Sequence, residues 1–326
     1  MGRKYLISFV LLAIVLPVFA APLRVVSYNV ENLFHPSRDT VAGVEKNDGE
    51  WTPEGEKRWS FTRYKQKIDN IARVLTNIGE WDGVDIAGLQ EVENAECMKR
   101  LCHTLRRGEY DYVHYESPDR RGIDVALLYK KARIDTIRTR AIPINGGMSA
   151  SLNGELLTRD ILYVCAEVDK KDTLHLFVCH LPSQRDGATE SEWKRKAAKK
   201  VLQKAVDSVL TVSPDAKMIV MGDMNSEPQK DISGLRNRMI EDGQSPTGRQ
   251  AYRKGTHKHN GQWACLDQFY TSPALDSIST VRIYDAEWIQ EPDEQYMGLR
   301  PKRTYKGYVY QNGYSDHLPI ILECRR

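Results

Sequence analysis

The chain has 326 residues, of which 41% are apolar and 28% are charged. This is the composition of a globular protein, so a mostly disordered chain, a collagen and a coiled-coil rod are excluded. After Leu23, no apolar run approaches the ~18 residues that a membrane-spanning helix needs, which excludes a multi-span membrane protein. The formal net charge at pH 7 is +3.

Residues 1–20 have the pattern of a secretory signal peptide. Arg3 and Lys4 form a basic start, an almost wholly apolar stretch follows over 5–18, and Ala20 ends a small-residue cleavage motif. We expect cleavage after Ala20, and therefore a secreted or periplasmic protein with no transmembrane segment in the mature chain. Because the leader carries two basic residues and no acidic one, cleavage lowers the net charge from +3 to +1. Any attraction of anions must then come from a local site.

The spacing of apolar residues predicts the elements in chain order. Strands are predicted at 23–30, 86–92, 110–115, 123–130, 136–142, 158–168, 173–181, 217–222, 263–271, 279–285 and 318–324. Helices are predicted over 61–79 and 94–107, and a third starts from a capping-box pattern at Thr189 and Glu192. Polar stretches at 31–60 and 241–262 predict long loops. This mixture indicates mixed sheets flanked by helices in one α/β domain over 21–326.

The six cysteines permit disulfides in an oxidising compartment, but they form no CxxC or Cys/His cluster typical of zinc. Cys165 and Cys179 lie in apolar, strand-like runs. Buried free thiols are the simplest interpretation of that placement.

Polar side chains interrupt the apolar runs where strands are predicted to end. They are Asn29, Glu91, His180, Asp223 with Asn225, Asp267, and Asp316 with His317. An unpaired charge is costly at the buried end of a strand, and ligand sites commonly lie at strand ends in α/β proteins. These residues therefore predict one shared polar pocket.

The residue types in this pocket indicate hydrolysis of a phosphate ester. Glu91 and Asp316 are hard oxygen donors and Asn29 offers an amide oxygen, which favours Mg²⁺, with Mn²⁺ or Ca²⁺ as alternatives, over zinc. His317 with a carboxylate such as Asp267 makes an acid/base pair.

The remaining candidate residues have the chemistry to activate the attacking water or to bind the phosphate. Asp223 is placed to accept a proton from an attacking water, while His180, Asn225 and Arg159 are candidates to bind phosphoryl oxygens. A metal with such residues neutralises charge and positions water, which is the task in phosphate-ester hydrolysis.

Seven short motifs occur in the order typical of the endonuclease/exonuclease/phosphatase superfamily. They are Ser-Tyr-Asn-Val, Leu-Gln-Glu-Val, Thr-Arg-Asp, Cys-His-Leu, Gly-Asp-Met-Asn-Ser-Glu-Pro, Leu-Asp-Gln-Phe and Ser-Asp-His-Leu-Pro. The chain thus resembles a group that includes DNase I, exonuclease III-type AP endonucleases, bacterial sphingomyelinases and inositol polyphosphate phosphatases. The motifs run from Asn29 to His317, so the resemblance covers nearly all of the mature chain.

The resemblance implies a four-layer α/β/β/α sandwich of two mixed, mostly antiparallel sheets, with the site at one edge. By motif position, the implied metal ligands are Glu91, Asn29 and Asp316. The implied catalytic residues are His180, Asp223, Asn225, Asp267 and His317, with Arg159 against the phosphate. Inositol phosphatases typically carry an arginine where this chain has Gln268, which disfavours an inositide substrate.

The expected activity is a Mg²⁺-dependent phosphodiesterase of the nuclease type, acting as a monomer by in-line attack of water. The alternative keeps the site but takes a phospholipid such as sphingomyelin, or a small phosphomonoester. A lipid enzyme needs an exposed apolar hairpin, for which the loop from Trp51 to Trp59 is the candidate. A non-enzymatic binding module is disfavoured because Glu91, Asp223 and His317 are all present.

Two surface features are candidates for contacts with a larger substrate. The first is a basic loop containing Arg253, Lys254, His257, Lys258 and His259, which would hold a polyanion. The second is a set of tyrosines that would stack on a base or sugar, namely Tyr305, Tyr308, Tyr310 and Tyr314.

Overall fold

The computed structural model describes residues 21–37, 48–106, 108–144, 156–184, 187, 191–229, 232–241 and 255–325. The predicted signal peptide, Thr189 of the predicted capping box, and Arg253 and Lys254 of the predicted basic loop lie outside these ranges. No helix among the described residues is both long and apolar enough to span a bilayer.

The elements are numbered in chain order. The strands are β1 (Leu23–Leu33), β2 (Ile86–Val92), β3 (Tyr110–His114), β4 (Asp124–Lys130), β5 (Ile134–Ile142), β6 (Ile161–Val168), β7 (Asp172–His180), β8 (Lys217–Asp223), β9 (Arg236–Asn237), β10 (His257–His259), β11 (Gln262–Ala264), β12 (Asp267–Thr271), β13 (Ser279–Ile283), β14 (Gln290–Pro292), β15 (Leu299–Pro301), β16 (Tyr305–Lys306), β17 (Val309–Tyr310) and β18 (Ile320–Cys324). The α-helices are α1 (Phe61–Gly79), α2 (Ala95–Leu105), α3 (Glu192–Val212), α4 (Arg238–Glu241) and α5 (Pro273–Asp276).

Two six-stranded sheets form the centre of the fold. Their strand orders are β13-β18-β1-β2-β4-β3 and β5-β6-β7-β8-β12-β9. In each sheet one pair of neighbours is parallel, β1 with β2 and β7 with β8, and the other pairs are antiparallel. A parallel pair needs a long crossover, and α1 and α3 lie in these two connections. The predicted mixed, mostly antiparallel sheets are therefore confirmed.

Three buried clusters separate four layers. Because successive residues of a strand point to opposite faces, Val26 of β1 joins Ile71 of α1 in the first cluster, whereas Val25 joins the cluster between the sheets. That middle cluster also contains Met221 of β8. The third cluster contains Leu202 of α3 and covers the outer face of the second sheet. The α/β/β/α sandwich is confirmed.

Most predicted elements lie within a few residues of the observed ones, and helix 61–79 is reproduced at both ends. Its start is explained by Ser60, whose side chain accepts a hydrogen bond from the backbone N–H of Arg63. The N-cap of α3 is Ser191, two residues after the predicted cap position, and it makes no side-chain cap bond. The predicted loop at 241–262 contains the start of the β10–β11 hairpin. All six cysteines lie in the described residues and are free thiols.

Candidate active site

The sandwich brings the ends of several strands to one edge. His180 ends β7 directly opposite Asp223 at the end of the parallel strand β8. Asp267, the first residue of β12, pairs with Asp223 from the other side. The first sheet adds Asn29 from β1 and Glu91 from β2. The predicted strand-end residues thus come from both sheets and meet at their shared edge.

Asp223 lies at the centre of this group. One of its carboxylate oxygens, Oδ2, accepts a 3.1 Å hydrogen bond from Asn29 Nδ2, and the other accepts a 2.8 Å bond from the backbone N–H of Asn225. The Nε2 atoms of His180 and His317 lie 3.6 and 3.8 Å from Asp223 Oδ2. A buried carboxylate therefore faces two imidazoles across one small space.

His317 is oriented by Asp267, whose Oδ2 lies 2.7 Å from His317 Nδ1. Both side chains are buried. Burial alone would lower the pKa of His317, but Asp267 and the nearby Asp223 outweigh it and raise that pKa well above its ordinary value. The Nδ1 atom is engaged, so Nε2 is the ring atom left to face a substrate.

The pKa of Asp223 is shifted toward neutrality. Burial raises it most, His317 opposes the rise and the charge of Asp267 adds to it, with the net result that the pKa of Asp223 is about 6. A carboxylate with a pKa near the working pH suits a group that exchanges a proton with water.

Glu91 faces the site from the first sheet. Its Oε2 accepts a 2.9 Å bond from the backbone N–H of Asn32, and its Oε1 lies 3.4 Å from Arg121 Nη2 and 4.0 Å from His180 Nε2. Arg121 also donates to the side-chain oxygen of Asn32 at 2.8 Å. Glu91 is therefore held in place by hydrogen bonds while one oxygen faces the histidine.

Three site residues have left-handed backbone conformations that side chains rarely adopt. The φ angles are 53° at Glu31, 64° at Glu91 and 48° at Asn225. The β1–β2 and β2–β4 ladders change register at the first two positions. Such irregularities redirect a side chain out of the normal alternation, and they are common next to active sites.

Asp316 is paired with an arginine that the sequence analysis did not single out. Its Oδ2 accepts a 2.7 Å hydrogen bond from Arg303 Nη2, and Arg303 Nε also lies 3.4 Å from Glu31 Oε1. Burial would raise the pKa of Asp316, but His317 and Arg303 outweigh it and lower that pKa. Burial and the charge of Asp316 raise the pKa of Glu31. Glu31 is thus an additional carboxylate of the site.

Arg159, predicted to contact phosphate, is turned into the protein. Its Nη1 lies 2.9 Å from Asp119 Oδ2, and its Nη2 donates to the carbonyl of Leu181 at 3.2 Å. Asn225 Nδ2 donates to that same carbonyl at 2.9 Å. Arg159 therefore supports the loop behind Asn225, and its contact with phosphate stays a prediction. Two other arginines lie beside acidic side chains of the site, Arg121 beside Glu91 and Arg303 beside Asp316.

The predicted metal ligands are spread across this edge. Among the described residues, two groups of three His, Cys, Asp or Glu side chains have ligand atoms within 4.8 Å of one another, and Glu91 is in neither. Asp316 belongs to one of them, and the amide oxygen of Asn29 accepts a 3.0 Å bond from the backbone N–H of Glu31. The trio of Asn29, Glu91 and Asp316 stays a prediction.

The chemistry of the donor set nevertheless fits a hard divalent cation. The edge carries five acidic side chains with oxygen donors, namely Glu31, Glu91, Asp223, Asp267 and Asp316. Burial, together with the charge of a neighbouring carboxylate, raises the pKa of Glu31 and of Asp223. A bound cation would relieve both effects, and Mg²⁺, Mn²⁺ and Ca²⁺ prefer oxygen ligands.

Only some of the described residues in the two predicted surface features are open to a substrate. In the basic loop, the side chain of Lys258 is withdrawn from solvent and lies 2.8 Å from Asp293, whereas His259 is exposed. Tyr305 and Tyr314 are buried in the core under α1, whereas Tyr308 is 62% exposed. Tyr308 is therefore the best placed of the four tyrosines to stack on a substrate.

The acidic edge is also tied to the helical layer through a buried lysine. Lys67 of α1 lies 3.9 Å from Glu31 Oε2 and donates to the carbonyl of Tyr314 at 2.6 Å.

We expect Lys67→Met to lower the free energy of unfolding by about 3 kcal/mol, because removing one partner leaves a buried charge less compensated. Removing one partner of a buried ion pair usually costs about 3–5 kcal/mol. We expect the lower end of that range because Arg303 remains beside Glu31. Urea denaturation would measure it.

The matched control is Lys65→Met in the same helix. Lys65 is 60% exposed and forms a surface pair with Asp69, so its replacement should change stability by less than about 1 kcal/mol. Equal losses for the two variants would contradict the buried pairing.

The edge of this α/β/β/α sandwich thus combines buried carboxylates, histidines and an Asp–His pair, a set of groups suited to phosphoester hydrolysis. A family model described as Endonuclease/Exonuclease/phosphatase family matches residues 24–326. The chain belongs to this family. No protein of curated function matches the sequence.

Three differently named proteins are among the solved structures with the same fold. Truncated TDP2 from Caenorhabditis elegans matches with a TM-score of 0.55 and 16% identity, over 94% of this chain and 98% of that one. The human Nocturnin catalytic domain, solved with a bound sulfate anion, has a TM-score of 0.54 and 17% identity over 94% and 95%. A mannosyl-6-phosphatase from Bacteroides thetaiotaomicron has a TM-score of 0.53 and 14% identity over 92% and 98%.

Proposed function

We propose that this protein is a secreted or periplasmic, Mg²⁺-dependent phosphodiesterase that hydrolyses nucleic acid as a monomer. The observation that carries the proposal is the placement of His317 Nε2 3.8 Å from Asp223 Oδ2, with Asp267 on the opposite ring nitrogen. This arrangement provides a proton acceptor and a charged imidazole on either side of one space. A phosphoryl group attacked in line by water needs both.

Each residue of the site has its own role in the proposed reaction. Asp223 orients the attacking water and accepts its proton, helped by Asn225, which holds the carboxylate through its backbone N–H. His317 neutralises charge that develops on the phosphoryl oxygens, and Asp267 keeps its ring in position. His180 faces the same space and would contact a phosphoryl or leaving oxygen.

Glu91 would hold the divalent cation, with Asn29 and Asp316 as the other two ligands. The cation would polarise the phosphoryl group and neutralise its charge. Arg121 already occupies one side of Glu91 at 3.4 Å. Its guanidinium would stay close enough to assist in binding an anionic substrate.

A cavity beside this group supports a substrate larger than inorganic phosphate. Its volume is about 330 Å³, and its lining includes Glu31, Arg121, Arg303, Trp51 and Lys57. This volume lies at the lower end of the range for small-molecule sites, and it suits a nucleoside or sugar attached to the scissile phosphate.

The alternative substrates differ in how well the surface supports them. A lipid substrate would require an exposed apolar loop between Trp51 and Trp59, but both tryptophans are buried and pack edge-to-face, with ring centroids 5.5 Å apart. That candidate is therefore lost. A small phosphomonoester would use the same residues, and the mannosyl-6-phosphatase from Bacteroides thetaiotaomicron has the same fold.

The test is incubation of the purified mature protein with supercoiled plasmid in Mg²⁺, with and without EDTA. We expect nicking that requires the metal. p-Nitrophenyl phosphate and flotation with phospholipid vesicles serve as parallel assays. Hydrolysis of the monoester without nicking would move the function to a phosphomonoesterase, and strong flotation would favour a lipid substrate.

The role of Glu91 is tested by Glu91→Gln, which keeps the shape of the side chain and removes its charge. We expect the Mg²⁺ concentration for half-maximal activity to rise at least about tenfold, because a ligand contributes no less than the groups that orient it. Glu96→Gln, in the exposed first turn of α2, is the control. An unchanged Mg²⁺ dependence in Glu91→Gln would remove Glu91 from the metal site.

A further inference from the structure

His257 lies beside the catalytic residues and has no part in the chemistry proposed above. It begins the β10–β11 hairpin, and an isolated antiparallel bridge connects its backbone to that of His317. The centroids of the two imidazole rings are 4.8 Å apart. Asp316 completes the set, since one ligand atom from each of the three side chains lies within 4.8 Å of the other two.

With two imidazoles, this trio differs in chemistry from the all-oxygen set of Asn29, Glu91 and Asp316. Two imidazoles and one carboxylate match the ligands of zinc sites that keep a fourth position open. Imidazole suits Zn²⁺ and its first-row neighbours, whereas Mg²⁺ takes oxygen ligands almost exclusively. The neighbouring sets of donors on one edge should therefore select different cations.

The orientation of His317 also suits a metal ligand. Asp267 holds Nδ1 at 2.7 Å, which leaves Nε2 directed into the site. A carboxylate in this position is the usual partner of a metal-binding histidine, because it fixes the ring and makes the free nitrogen more basic. A bound metal ion would take the place of the proton on Nε2, the ring atom that lies 3.8 Å from Asp223 Oδ2.

The three ligand atoms need only a small contraction to bind a metal. Tetrahedral zinc with bonds of about 2.0 Å requires ligand atoms about 3.3 Å apart, compared with at most 4.8 Å here. His257 is half-buried and lies in a hairpin whose two strands have three residues each, so its side chain can move toward the buried His317.

We infer that His257, Asp316 and His317 form a second cation site, which shares Asp316 with the Mg²⁺ ligands proposed above, prefers Zn²⁺ to Mg²⁺ and inhibits the enzyme when occupied. Inhibition follows because a zinc-bound His317 Nε2 cannot contact the phosphate. The inhibitory part rests on the function proposed above, whereas metal binding at these residues does not.

Binding is tested by titrating the purified mature protein with Co²⁺ in excess Mg²⁺ and following its visible absorption, with calorimetric titration of Zn²⁺ alongside. We expect one site in the wild type, and at least a tenfold weaker affinity in His257→Gln. His259→Gln is the matched control, because His259 is exposed in the same strand and its ring lies 6.4 Å from that of His257. Asp316→Asn should weaken Co²⁺ binding like His257→Gln.

Equal affinity in the wild type and in both ligand variants would overturn the inference, as would the absence of Co²⁺ and Zn²⁺ binding. Inhibition is then tested with the substrate that the wild type cleaves. Zn²⁺ should inhibit the wild type and His259→Gln at a concentration at least about tenfold below that needed for His257→Gln. Equal inhibition of all three would refute the regulatory role. If no substrate were found, the titration would still decide the binding.

Discussion

Replacing His317 by alanine is expected to lower the rate of phosphoester cleavage by about 10²- to 10⁴-fold, the usual contribution of a positioned acid/base group. The loss has two sources. The imidazole Nε2 that faces Asp223 is removed, and Asp267 becomes a buried carboxylate without its partner. Initial rates on the cleaved substrate, at saturating Mg²⁺, would measure the effect.

Circular dichroism must accompany that measurement, because losing the partner of a buried carboxylate also lowers stability. His103→Ala is the control, since His103 is an exposed histidine in the last turn of α2. Asp267→Asn should reduce the rate less than His317→Ala, because the ring remains and only its orientation and charge are weakened. A folded His317→Ala protein with a rate within a few-fold of wild type would show that the chemistry lies elsewhere.

Gly222→Ala is expected to lower the free energy of unfolding by about 4 kcal/mol or more. A Cβ atom at this position would lie 1.9 Å from the carbonyl oxygen of Cys179 in the adjacent parallel strand, and the φ of +143° is one that side chains rarely adopt. Backbone strain and steric overlap each contribute about 1–3 kcal/mol, and a loss this large is exceptional for one methyl group. Chemical denaturation would measure it.

Gly298→Ala is the matched control, because φ is also positive there, at +72°, but nothing lies within 4 Å of the added Cβ. We expect a loss of about 1 kcal/mol, from the left-handed backbone alone. Gly222→Ala should in addition reduce activity, since Asp223 follows directly in β8. Similar losses in the two variants would mean that the β7–β8 pair adapts to the extra atom.

The assembly of the site could be predicted where it depends on strand periodicity. His180 and Asp223 end neighbouring parallel strands, so an apolar run followed by a polar residue was enough to predict that they meet. Asp267 and His317 were paired through motif order, and the structure places them 2.7 Å apart. The sandwich followed from the resemblance, and the family comparison supports it.

Other residues could not be found because their placement depends on irregular backbone. Glu31 follows Asn29 by two positions, which was the available signal, but the bulge that aims it has no sequence signature. Arg303 and Lys67 approach from a loop and from the helical layer, where neither motif nor period predicts a contact with Glu31. Trp51 and Trp59 looked like loop residues in a polar stretch, yet they pack in the core with Phe34.

The left-handed conformations at Glu31, Glu91 and Asn225 position side chains of the site, but they lower the stability of the fold. Each such residue costs on the order of 1–3 kcal/mol, which the rest of the sandwich must offset. Selection for heat resistance alone would therefore favour replacing these three residues by glycine, which relaxes at the same angles and carries no carboxylate or amide. Selection for turnover would oppose these replacements. The side chains kept at these three positions therefore show that stability has been lost in favour of activity.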